Sequence, residues 1–451
     1  MSETIKLKFR IAVIVFFSAM GGMLYGYDIG IINSAFLFIN KDIPMSSFQT
    51  SLLGGSVLFG GAFAILIGGI IADILGRKKT LILSALIFIA SVIMIESSTN
   101  YTMLLLSRLV QGTSVGFISV TVPIYLTETV PSTIRGFAVT CFQLFLTAGI
   151  LIANYVGLLL ENTGNWRAMF FTALIPGGIF FLGCFFLSKS PRWLLMNGKK
   201  KEAKKVLIET VGEQKANIEL EEALVVIEQS KLETVTLSSI LTTRHYLVPI
   251  LLVFSIAILA QLTGINSFLE FSATLLKAEG LNSNYVSIVG GVVITAINFL
   301  ATMIAVLIAD KIERKFTIMV CTFFVGFTLL VTAIALWILP VCLLQGWILL
   351  VGLVVFIFFF ALGPGAYVWV IMSELLPTQI RSKALAVALF LNSMMSAILA
   401  SVFLPATKHL GDSSMFFICG AFTLLYGFIV FKFVPKTSGR SLEDIEKEFI
   451  K

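Results

Sequence analysis

The stretch ADILGRK, Ala72 to Lys78, returns 237 residues later as ADKIERK, Ala309 to Lys315. Each copy follows a long apolar run, and two further pairs keep nearly the same offset. Glu128-x-x-Pro131-x-x-x-Arg135 is answered by Glu374-x-x-Pro377-x-x-x-Arg381, 246 residues on, and Ser190-Pro-Arg192 by Pro435-Lys-Thr437, with Pro191 and Pro435 244 residues apart. Similarity at one long period implies a single ancestral unit used twice.

The surrounding residues say what that unit is made of. With 58% hydrophobic and 13% charged residues the chain departs from soluble domains, where the shares run nearer half and a quarter. Apolar runs of about 20 residues, enough to cross roughly 30 Å of hydrocarbon, begin near residues 11, 49, 80, 101, 136, 168, 246, 285, 317, 345, 383 and 415. Residues 1–187 are therefore predicted to form an N-terminal six-helix bundle and 246–434 a C-terminal one. Residues 188–245 form a cytoplasmic linker with short helices, and 435–451 a cytoplasmic tail. Twelve spans in two parallel repeats resemble the layout of the major facilitator superfamily, an all-α membrane fold in which solute binds between halves that rock against each other.

Basic residues set the orientation, because Lys and Arg are retained on the cytoplasmic side of short loops. With the N-terminus inside, 27 of the 32 Lys and Arg fall in inner segments, and only Lys41, Arg167, Lys277 and Lys408 in outer loops. The expected location is the plasma membrane, or bacterial inner membrane, with both termini cytoplasmic and an uncleaved first span. The net charge of +7 then reports topology and contact with anionic lipid, not nucleic acid. Five scattered cysteines and two histidines offer no metal, redox or other cofactor chemistry. No nucleophile, base and oxyanion set suggests an enzyme.

Within the first run, GGMLYGYDIGII (Gly21 to Ile32) places Asp28 among residues suited to hydrocarbon. A carboxylate there costs roughly 2.5 to 3.5 kcal/mol on insertion scales and so marks a functional site. At the loops between spans, Asp73, Arg77, Glu128, Arg135, Asp310, Arg314, Glu374 and Arg381 are acid and base groups at one face of the membrane. They are expected to act as a cytoplasmic gate that pairs when that side closes. Gly264 and the run Gly363-Pro364-Gly365 interrupt the seventh and tenth spans and are candidate hinges.

These motifs, with RLVQGTSVGF (108–117), PIYLTETVPSTIRG (123–136), SPRWLLMNGK (190–199), QLTGIN (261–266), GPGAYVWVIMSELLPTQIR (363–381) and PKTSGRSLEDIE (435–446), resemble the sugar porter family over nearly the whole chain. The resemblance implies that Asp28 carries a proton with Arg135 as its partner. It also implies a substrate site at Gln261, Asn266, Asn298, Trp369 and Asn392, with amides for hydroxyl groups and an aromatic face for the ring. Three family positions differ: Ala260 and Ile150 stand for glutamines, and Ser393 for an aromatic. Glu270 replaces a common tyrosine, and either contacts a cationic or polyhydroxylated solute, carries a second proton, or faces water in the outer vestibule. Lys189, Lys436 and Glu313 depart from the family's gate pattern.

The functional expectation is proton-coupled symport of a sugar or polyol-like solute, with the solute, the proton and membrane lipids as partners and a monomer as the working unit. A facilitative uniporter or exporter of a non-hexose solute, amine-bearing solutes included, is the alternative. A nontransporting solute sensor is the third reading.

Overall fold

The computed structural model describes residues 3–232, 243–308, 312–377, 379–437 and 448–449. Asp310 and most of the 435–451 tail therefore lie outside the described residues. Twelve helical stretches are long and apolar enough to cross a membrane, and each begins within four residues of its expected start. The fold is all-helical among the described residues.

The first six spans are built from α1 (Glu3–Asp42), α2 (Ser47–Leu75), α3 (Arg77–Glu96), α4 (Tyr101–Thr129), α5 (Arg135–Leu159) and the pair α6 (Trp166–Phe171) and α7 (Leu174–Phe186). Local chemistry sets several starts. Ser46 and Gln49 form a reciprocal capping box on α2, and Asn100 caps α4 by accepting from the Met103 N–H. Three short polar helices follow: α8 (Pro191–Met196), opened by the Ser190 cap and Pro191, then α9 (Lys200–Val211) and α10 (Glu213–Leu232).

The second six spans are α11 (Arg244–Leu262) with α12 (Ile265–Ala278), α13 (Asn284–Ile308), α14 (Arg314–Ile338), α15 (Leu343–Leu362) with α16 (Pro364–Leu375), α17 (Arg381–Leu410) and α18 (Asp412–Phe433). Both breaks fall where the sequence places them. Gly264 adopts φ +84°, a left-handed conformation that glycine tolerates without a Cβ penalty, and it separates α11 from α12. Gly363 and Pro364 separate α15 from α16.

Packing explains the glycines around Asp28. A Cβ at Gly22, Gly26 or Gly30 would lie 2.3, 1.8 or 2.5 Å from a backbone oxygen of α5, so α1 and α5 touch backbone to backbone. This spacing of four puts all three on one face of α1 and leaves Asp28 on another. Between halves, α2 runs along α17, α5 along α13, and α1 against α12. A Cβ at Gly55 of α2 would sit 2.5 Å from the Ser401 hydroxyl and 2.7 Å from the Ala397 oxygen of α17.

A polar seam joins the halves at the end of the bundle away from the basic loops. Asn33 of α1 donates to Asn154 of α5 at 2.9 Å and accepts from the Ala273 backbone N–H of α12 at 2.9 Å. Ser51 accepts from the Leu404 N–H at 2.9 Å. Beyond it, Phe36 of α1 stacks on Phe271 of α12, which stacks in turn on Phe403 of α17. This end is closed by small residues, amides and rings.

Two predictions follow from this packing. Gly26→Val should force α1 off α5 and lower thermal stability in detergent by the equivalent of about 1–3 kcal/mol or more, as overpacking does; an unchanged melting temperature would refute the contact. At the closed end, burial and the neighbouring Asp412 carboxyl push Glu279 up to about 8. The folded value lies above the unfolded one, so this contribution is complete below about 4.5 and is lost as pH rises to about 8. Melting curves of the wild type should fall across that window, and those of Glu279→Gln should fall less.

Candidate functional site

A cavity lies between the halves, lined on one side by Tyr25 of α1, Val57 and Leu58 of α2 and Ser119 of α4, and on the other by Asn266, Trp369, Asn392, Ser393 and Ser396. Behind the wall residues Asn266 and Asn392 a hydrogen-bond chain continues through Gln261, which does not itself line the cavity. Gln261 donates to Asn392 at 3.0 Å, Asn266 donates to Gln261 at 3.1 Å and to Ser396 at 2.7 Å, and Asn392 donates to the Ala257 oxygen at 2.8 Å. Asn266 is held there because the Gly264 break starts a new helix two residues earlier. Trp369 is placed similarly by the Gly363 break, and offers a half-buried aromatic face.

The structure thus gathers Gln261, Asn266, Asn392 and Trp369 into one constellation. Asn298 is different: it is buried on α13 and is not a wall of this cavity. Ile150 and Ala260, the positions lacking the family's glutamines, are 2% exposed and also outside the wall. Ser393 does line it, and donates across the halves to the Leu58 oxygen at 3.1 Å. Tyr25, Ser119 and Ser396 were not singled out from the sequence, because hydroxyl residues in apolar helices are common and carry no spacing signal.

Asp28 is 1% exposed and is ion-paired with Arg108 of α4, itself 1% exposed. This corrects the expected partner. Arg135 lies at the first residue of α5, exposed at the basic end, while Asp28 faces the first third of α4, at Arg108. Arg108 also donates to Gln111 at 2.8 Å and lies 5.4 Å from the Phe170 ring centre. The signal that marks Asp28, an ionised group inside an apolar run, applies equally to Arg108. One lone charge in hydrocarbon calls for another.

Glu270 is 2% exposed and does not face water in this structure. Its Oε2 has no hydrogen-bond partner and sits against Gly54 of α2, 3.1 Å from where a Cβ would stand. It is not among the cavity walls.

At the basic end, Arg77 is 6% exposed and holds Asp73 at 2.7 Å and Glu128 at 2.8 and 2.9 Å. Glu128 further accepts from Ser190 at 2.5 Å, and Trp193 of α8 donates to the Asp73 oxygen at 2.7 Å. In the second half Arg314 pairs with Glu374 at 2.6 Å, and Arg381 donates to the Leu376 oxygen at 3.1 and 3.0 Å. Glu313 accepts from the Thr437 N–H at 3.2 Å, and Lys189 pairs with Glu202 of α9 at 3.0 Å. Each of these pairs joins residues within one half or its linker, since Asp73 and Arg77 are a helical turn apart and Glu128 ends the neighbouring helix of the same half. Their formation does not require the halves to meet, which corrects the expectation of a gate that pairs only on closure.

Twelve spans in two repeats around a central cavity that sets amides and hydroxyls among apolar side chains define a transporter of the major facilitator fold. The sequence model of the family described as "Sugar (and other) transporter" matches residues 14–449. The chain is 36% identical over 439 residues to the glucose transporter GlcP of Staphylococcus epidermidis, covering 97% of this chain and 96% of that one. It is 30% identical to the galactose-proton symporter of Escherichia coli, with 97% and 94% covered, and 30% identical to the major myo-inositol transporter IolT of Bacillus subtilis, with 97% and 93% covered. In fold it is similar to the inward open conformation of the xylose transporter XylE from E. coli, with a TM-score of 0.82, 23% identity and 97% and 99% of the chains covered. The chain belongs to the sugar transporter family, and is a membrane transporter rather than an enzyme.

The two arginine clusters should differ in weight. Arg77→Ala strands a Glu128 that is itself 6% exposed, so it should cost about 3–5 kcal/mol. Arg314→Ala acts on a pair about one-fifth exposed and should cost less. Parallel melting curves of the two variants in detergent test the order, and equal losses would refute it.

Proposed function

We propose that the protein carries a sugar or polyol-like solute together with protons, by alternating access, across the plasma membrane of a bacterial-type cell, with its basic end cytoplasmic. The observation that carries this reading is the buried Asp28–Arg108 pair beside a cavity of amides and an indole. The named activities of the relatives, glucose, galactose-proton and myo-inositol transport, support the same solute class.

The chemistry of the cavity suits polyhydroxylated compounds. Gln261, Asn266 and Asn392 both donate and accept, so they can exchange their mutual hydrogen bonds for ring hydroxyls, while Trp369 covers an apolar ring face. A proton on Asp28 neutralises the carboxylate and releases Arg108 to its other acceptor, Gln111. Tyr25 lines the cavity one helical turn from Asp28, so a shift of α1 is felt by the solute. Proton state and solute occupancy thereby share one helix. A single chain encloses the whole pathway, and the monomer in its lipid surroundings is the working unit.

Purified protein in liposomes, with D-glucose, D-xylose, D-galactose and myo-inositol as probes, tests this reading. The wild type should accumulate one of them under an imposed pH gradient and move protons when the solute is added. Asp28→Asn should retain solute exchange and lose accumulation at least tenfold. Accumulation by that variant equal to wild type would overturn the assignment.

A further inference from the structure

Glu270 belongs to the C-terminal half by sequence but reaches the N-terminal half in space. It lies on α12, one turn from the helix start at Ile265, and its carboxylate presses on Gly54 of α2. The glycine is required there: any side chain at position 54 would meet Oε2 at 3.1 Å and the Phe271 ring at 2.9 Å. The surroundings are otherwise apolar, with Phe36 and Phe271 stacked alongside.

The charges that act on Glu270 come from the other half. Arg108 of α4 and Asp28 of α1 are both in electrostatic range, and the Tyr25 phenol lies in range of both carboxyls. The other helices packed on α12 bring nothing comparable. Ionisable groups of α11 (Arg244, His245, Tyr246) stand at its far end, α13 offers Tyr285 at its exposed start, α15 has none, and α17 carries Lys408 and His409 in its exposed last turn. Arg108 is already paired with Asp28, and among the described residues no cation forms an ion pair with Glu270. A buried carboxylate without a counterion is costly, whereas a protonated carboxyl is neutral.

We propose that Glu270 is a second proton-carrying group of the coupling centre, holding the proton in the state where the non-basic end is closed. The step is a proton transfer without redox change. The O–H bond of the Asp28 acid breaks, one forms on Glu270, and the Asp28 carboxylate pairs with Arg108. Because Glu270 arrives on α12 only when that end closes against α1 and α2, the proton changes residue as the halves change contact. This deepens the symport reading and rests on it.

Infrared pH titration of the purified protein in lipid vesicles reads the protonated carboxyl stretch directly and needs no solute. Measured in a Glu279→Gln background, which removes the other carboxyl pushed up to about 8, the protein should show this band at neutral pH, Glu270→Gln should abolish it, and Glu270→Asp, which keeps a carboxyl, should retain it. Asp28→Asn should keep the band but lower its midpoint by about one pH unit or more. Loss of the Asp28 charge removes a like-charge repulsion and frees Arg108 for Glu270, and both favour the Glu270 anion. A band that survives Glu270→Gln in that background, no band in that background alone, or a midpoint unmoved by Asp28→Asn would each overturn the inference. The symport reading fails by a different result, wild-type accumulation in Asp28→Asn, so the two failures are distinguishable.

Discussion

A carboxylate and a guanidinium, each 1% exposed, hold one another inside a bundle built for hydrocarbon. Alone, either would be expelled or neutralised; paired, they are retained only while α1 and α4 keep their relative rotation and depth. That constraint propagates. With Asp28 turned to α4, Gly22, Gly26 and Gly30 turn to α5, where their missing side chains let the two backbones meet. Tyr25 is then carried to the cavity wall. One helix thus carries half of the buried ion pair, a packing seam and part of the cavity wall on three faces.

The joints between and within the halves use different chemistry. At the non-basic end the halves meet at Gly54, against the Glu270 and Phe271 side chains, at Gly55, against Ser401 and the Ala397 oxygen, and through neutral hydrogen bonds of Asn33 and Ser51, with Ser393 bridging the halves at the cavity. Such bonds contribute a net 0.5–1.5 kcal/mol each and reform readily, which suits a surface that opens and closes. At the basic end, Arg77 and Arg314 tie helices of the same half through charged pairs. Breaking a buried pair costs more, so these clusters hold each half together as a body that can move as a unit.

Much of this was legible in the residues. The twelve spans follow from hydropathy, the two halves from paired motifs, and the helix breaks from Gly264 and Gly363-Pro364, each of which acts on its own neighbourhood. Family likeness pointed to the amides Gln261, Asn266 and Asn392, which the structure links by hydrogen bonds, and to Trp369, which lines the same cavity as Asn266 and Asn392, whereas Asn298 lies outside it. Arg135 was misassigned as the partner of Asp28 because it sits in a conspicuous loop motif, whereas Arg108 sits quietly in a helix. Glu270 was thought able to face water; only the approach of α2 through Gly54 buries it.

The sequence by itself determined the number of spans, their breaks, the double repeat and the kind of chemistry available, since hydrophobic period, glycine, proline and charge act over short stretches of chain. The tertiary structure decided which charge meets which. Asp28 and Arg108 are 80 residues apart, and Asn33 and the Ala273 N–H 240 apart. Such meetings depend on the rotation and depth of whole helices, quantities fixed by packing across the bundle and not written in any local pattern.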